Sequence, residues 1–99
     1  MLFRSIFGAG VYGRCAYKAL NDRDINVVCL CDNNDNVTQF EDKKVIRPEY
    51  CVEKYPDVYY VIANKYYADD MVIQLEGLGI APNMIIKYDI DFTDRKSVV

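Results

Sequence analysis

The chain contains no histidine, and its 99 residues include five glycines, three prolines and four cysteines. Without an imidazole, neither a Cys-His pair nor a Ser-His-Asp arrangement can be assembled, and no cysteine stands in an evident electropositive loop. No catalytic residue is therefore assigned. The same absence removes nitrogen ligands for zinc, and Cys15, Cys29, Cys31 and Cys51 form no C-x-x-C pair, so no metal site is expected. These cysteines sit within apolar patterning, as reduced core thiols of a cytoplasmic protein do. An excess of positive charge is also missing: 12 Lys and Arg, scattered along the chain, face 15 Asp and Glu for a net charge of −3. On this ground nucleic acid and a polybasic membrane patch are both excluded as partners. No apolar run approaches a membrane span and no signal-peptide pattern follows Met1, so no membrane insertion is expected.

What the chain does have is a G-x-G-x-x-G run, Gly8-Ala9-Gly10-Val11-Tyr12-Gly13, preceded by the apolar Ile6-Phe7 and followed by the helical pattern Arg14 to Leu20. In a dinucleotide-binding βαβ unit the first glycine makes the turn, the second admits a pyrophosphate, and the third lets the helix pack closely on the strand. The helix N-terminus then offers unpaired N–H groups to phosphate. A second apolar run, Asn26 to Cys31, delivers Asp32, placed where an acid meets a ribose hydroxyl and favours NAD over NADP. Asn33 borders that position, while Asn34, Asp35 and Asn36 read as turn formers.

Taken in order, the patterning predicts a strand over 2–7, whose Arg4 and Ser5 count against a central position. A helix follows over 11–21, then a strand over 26–31 and a polar connection over 40–44. Val45-Ile46 reads as a brief edge strand, and Pro48 as the first residue of a short helix. Val58 to Ala63 is a continuous β-branched and aromatic run suited to burial on both faces. Ala68, Met71, Val72, Leu75 and Leu78 follow at helical spacing with Gly79 as the stop, and Met84 to Tyr88 is the last strand. The implied architecture is α/β, a Rossmann-like three-layer sandwich with a short parallel sheet in strand order 3-2-1-4-5. The whole of 1–99 reads as one domain, with 89–99 a polar tail or the start of a linker. Asn64 and Lys65 follow the central strand at the switch point, where an Asn can meet a sugar hydroxyl and a Lys a phosphate. Tyr50 and Lys54 have the Y-x-x-x-K spacing of short-chain dehydrogenases but stand too early in the chain for that role.

The segments IFGAGVYGRCAYKAL, VVCLCDNN, VIRPEY and VYYVIANKYYADDMVIQLEGLGI together resemble the Rossmann-like module of bacterial surface-polysaccharide proteins. There it is attached to glycosyltransferases, methyltransferases and sugar-modifying enzymes, and it is similar to the N-terminal domain of sugar O-acyltransferases that bind a nucleotide-sugar. The resemblance extends to about Tyr88. It implies phosphates on the Gly8 to Gly13 turn, a sugar or ribose beside Asp32 and Asn33, and Asn64 closing the pocket. The transferase machinery of those proteins is absent. The expected function is thus a non-catalytic nucleotide-binding module, for NAD(P) or a nucleotide-sugar, in polysaccharide biosynthesis. A second copy of the chain or a transferase domain would be its protein partner. A structural or oligomerisation domain and a nucleotide-sensing regulatory domain are the competing readings.

Overall fold

Two continuous apolar runs, around Leu30 and Val61, flank a first strand that ends in Ile6-Phe7, and together they form the middle of a sheet covered on both faces. The computed structural model describes residues 3–40 and 43–88. Its elements are β1 (Phe3–Phe7), α1 (Val11–Asp22), β2 (Asn26–Cys31), β3 (Gln39–Phe40), β4 (Lys43–Ile46), α2 (Pro48–Lys54), β5 (Tyr59–Ile62), α3 (Ala68–Gly77), a 3-10 turn (Pro82–Met84) and β6 (Ile85–Lys87). The sheet order is β3-β4-β2-β1-β5-β6, and every pairing is parallel except β3 with β4. The five strands expected in the order 3-2-1-4-5 are β4, β2, β1, β5 and β6, and they adopt that order.

The added strand, β3, corrects the reading of 40–44 as polar connection. Phe40 is only 1% exposed, its ring 5.4 Å from that of Tyr17 and 5.2 Å from the Arg14 guanidinium. Burying this ring against α1 draws the segment into a short antiparallel pairing with β4. A second correction concerns β1, which is central despite Arg4 and Ser5. Ser5 is wholly buried with its hydroxyl 3.7 Å from the Cys51 sulfur, and Arg4 carries its charge over the Tyr59 ring, 4.6 Å from the centroid.

Successive strand residues face opposite sides, so Ile6 and Phe7 serve two different cores. Ile6, Val27, Leu30 and Val61 pack with Ala16 of α1 on one face. Phe7, Cys31, Tyr60 and Ile62 pack with Val52 of α2 and Met71 and Leu75 of α3 on the other. Each fully buried large side chain contributes about 1.5–3 kcal/mol, and the two layers together hold the sheet's carboxyl ends in register. Pro48 starts α2 as expected, and Gly79, at φ +104°, ends the turn after α3. Cys29 of β2 and Cys51 of α2 bring their sulfur atoms together between strand and helix, and Cys15 and Cys31 are free. The tail expected over 89–99 lies outside the described residues. Among those described, no helix is long and apolar enough to cross a membrane.

Candidate functional site

The strand order reverses between β1 and β5, and a crevice opens there at the carboxyl ends of the strands. Its floor is the glycine turn. Gly8 has φ +115°, and a Cβ on it would lie 2.6 Å from the Ala63 carbonyl oxygen. A Cβ on Gly13 would lie 2.1 Å from the Gly8 carbonyl oxygen, so only glycine lets α1 descend onto the turn that precedes it. Gly10, in contrast, faces open space within 4 Å. It is also the N-cap of α1, which has no side-chain cap and no acid in its first turn, whereas α2 has Glu49 there and α3 has Asp69 and Asp70. No side chain of α1 itself therefore offsets the partial positive charge of its first-turn N–H groups.

Asp32, immediately after β2, ties this turn to the rest of the site. Its Oδ2 accepts a hydrogen bond from the Ala9 N–H at 2.8 Å and its Oδ1 one from the Asn34 N–H at 2.8 Å. Its own N–H donates to the Ile46 carbonyl at 3.0 Å. Asn33 and Gln74 exchange two amide hydrogen bonds of 2.9 Å each, joining the loop after β2 to α3 over the crevice. Asn64 accepts through Oδ1 from the Tyr66 and Tyr67 N–H groups, at 2.9 and 2.8 Å, which fixes its amide and opens α3. Gly8, Asp32, Asn33, Asn64, Tyr67 and Met71 line a cleft of about 360 Å³, within the roughly 300–1,000 Å³ range of small-molecule sites. On the other side of the 32–34 loop, Asp32, Asn34, Asp35, Lys44, Arg47 and Tyr50 line a second cleft of about 300 Å³.

Arg47 crosses between loop and helix. Its Nη1 donates to the Asn33 carbonyl at 2.9 Å and to Asp35 at 3.0 Å, and its Nε donates to Glu49 at 3.1 Å. The hydrogen bonds to Glu49 and Asp35 raise the Arg47 pKa, and that from Arg47 holds the Glu49 carboxyl below its usual range. Beneath the loop, burial pushes the Cys31 thiol up, with the charges of Asp32 and Glu49 adding to it.

Of the residues expected at the site, Gly8, Ala9, Gly10, Asp32, Asn33 and Asn64 gather around the crevice. Gly13 supports them from below. Val11 is 73% exposed at the helix start and Lys65 is exposed outside the cleft, so neither converges on it. Tyr12 is half-buried against the α1-side core. Tyr50 and Lys54 open on different cavities, which separates the Y-x-x-x-K pair. Sequence reasoning missed Arg47, Met71 and Gln74. Arg47 had a signal: it follows β4 as Asp32 follows β2, and the last residues of those strands, Cys31 and Ile46, are register partners.

Strand order, glycine turn and terminal acid together define a Rossmann-like α/β domain. Residues 5–86 match the family model described as C2185-like, N-terminal, and the chain belongs to that family. No curated protein matches. Among solved structures, RSP, a Rex-family repressor, superposes with a TM-score of 0.70 at 16% identity, over 99% of this chain and 56% of that one. RSP in complex with β-NAD+ and operator DNA superposes with a TM-score of 0.68 at 16% identity, over 99% and 54%. The chain thus spans little more than half the length of these structures. The operator complex overturns the exclusion of nucleic acid drawn above from net charge. A protein containing this fold binds DNA, and the net charge of one domain does not decide the partners of a longer chain. None of these matches involves surface polysaccharide or a transferase.

Proposed function

We propose that the chain is a single NAD-binding domain, non-catalytic in itself, that serves as the nucleotide-sensing part of a regulatory protein. The observation that carries this reading is the 2.8 Å hydrogen bond from the Ala9 N–H to Asp32, which presets the glycine turn against the end of β2 at the switch point. The pyrophosphate lies over Gly10 on the bare first turn of α1, and the adenosine ribose lies at Asp32, whose carboxylate oxygens retain acceptor capacity beyond their two backbone partners. Asn33 and Asn64 border the crevice and supply amide groups to the rest of the ligand. RSP, solved with both β-NAD+ and operator DNA, supports joining nucleotide binding to regulation on this fold. The nucleotide-sugar and polysaccharide setting gains no support from the comparisons.

Thermal unfolding with millimolar NAD+, NADH, NADP+, UDP-sugars, coenzyme A and S-adenosylmethionine tests the proposal. A ligand at a hundred times its Kd adds roughly 2.7 kcal/mol of stability. A shift with NAD+ or NADH is expected. No shift across the panel refutes the proposal and favours a structural domain, a reading to which the two backbone hydrogen bonds already held by Asp32 lend weight.

A further inference from the structure

We infer that Arg47 is a latent phosphate-binding cation held silent by Asp35 and Glu49, and that this restraint makes the site select an adenosine ribose with a free 2′-hydroxyl. The inference rests on the dinucleotide reading above and names the residues that set its cofactor choice. β2 and β4 are neighbours, and Cys31 and Ile46 are partners in register. Asp32 and Arg47 are the residues immediately after β2 and β4, so an acid and an arginine follow neighbouring strands at the sheet's carboxyl edge, where strand backbones lie about 5 Å apart. These are the two alternative devices of a Rossmann site: a carboxylate for the ribose hydroxyls, or an arginine for a 2′-phosphate. Here both are present, and both line the cleft beyond the 32–34 loop.

What engages Arg47 decides between them. Asp35 holds its Nη1, Glu49 its Nε, and the Asn33 carbonyl takes a further Nη1 hydrogen. One guanidinium against two carboxylates leaves the trio with a net negative charge, beside the further charge of Asp32. A 2′-phosphate arriving there meets repulsion and finds the fork of Arg47 already occupied. Lys44 lines the same cleft. With the acids neutralised, Arg47 and Lys44 together face Asp32 alone, and the balance inverts.

The test is the ratio of Kd values for NADP+ and NAD+, measured by calorimetry at low ionic strength on the chain and on Asp35→Asn/Glu49→Gln. Wild type is expected to bind NAD+ the more tightly. In the double variant the ratio should move toward NADP+ by roughly tenfold to a hundredfold, the scale of one or two charge-assisted hydrogen bonds. Adding Arg47→Met should abolish that gain. Asp35→Asn alone, at a side chain 77% exposed, should give a smaller shift in the same direction if the double variant does not fold. Equal wild-type affinity for both nucleotides, or an unchanged ratio in variants that still bind NAD+, overturns this inference and leaves the NAD-binding proposal standing. Failure of wild type to bind either nucleotide overturns both.

Discussion

Gly10 and Gly13 stand three residues apart in one motif, yet the structure gives them separate tasks that substitution should pull apart. A methyl group on Gly13 lands 2.1 Å from the Gly8 carbonyl oxygen, against the 3.0 Å or more that real Cβ contacts keep. The obstacle is backbone in a buried turn, so α1 must lift off β1 by about 1 Å. Overpacking of this kind costs ~1–3 kcal/mol, here at the upper end. Alanine's better helix propensity returns about 1 kcal/mol, leaving Gly13→Ala destabilised by about 2 kcal/mol. For a domain of this size that lowers Tm by roughly 8–16 °C. At Gly10 nothing lies within 4 Å of the added methyl, and stability should change by less than about 0.5 kcal/mol. The methyl instead occupies the space a pyrophosphate would use, so Gly10→Ala should weaken NAD binding by about tenfold or more. Thermal unfolding of both variants, with and without nucleotide, reads stability and binding separately. If Gly13→Ala melts like wild type, or Gly10→Ala melts low, the assignment of the third glycine to packing and the second to ligand space is refuted.

Phe40 is the anchor of β3, and Phe40→Ala should cost about 3–5 kcal/mol in urea unfolding; a loss under 1 kcal/mol would place its ring outside the core. Stability should also fall in alkali. The Cys31 thiol and the Tyr60 hydroxyl, whose pKa burial pushes up to about 12, both have folded values above their unfolded ones of 9.0 and 10.0. Each group's contribution is complete below its unfolded value. It is lost as the pH rises, from about 9 for Cys31 and between about 10 and 12 for Tyr60, as the unfolded chain gives up protons the folded one retains. Urea titrations at pH 8, 9.5 and 11 check this, and Tyr60→Phe should flatten the upper part of the decline. Finally, a thiol reagent applied to the native protein should modify half-buried Cys15 well ahead of Cys31, which is 0% exposed; equal rates, followed by mass spectrometry of peptides, would contradict that burial.

Sequence by itself determined the order of strands and helices, because their signals are local. The three glycines, the β-branched run through Ile62, Pro48 at a helix start and Gly79 past a helix end each impose a backbone state on their own neighbours. Right-handed crossovers then allow few arrangements of five parallel strands, and the expected one is present. Asp32 was found for the same reason, since the acid sits a fixed distance beyond the motif. Tertiary structure decided what local pattern does not encode. Phe40 stands among polar residues and becomes core only because α1 crosses above it, and Ser5 is tolerated at the centre because it is enclosed with Cys51 and Tyr60. Net charge, summed over the chain, misled about partners because it has no spatial direction and speaks for one domain alone. Gln74 reaches Asn33 across 41 residues of chain, and Arg47 meets the Asn33 carbonyl and Asp35 only when β2 and β4 lie side by side. Contacts between distant segments depend on strand order and register, and these exist only once the sheet has formed.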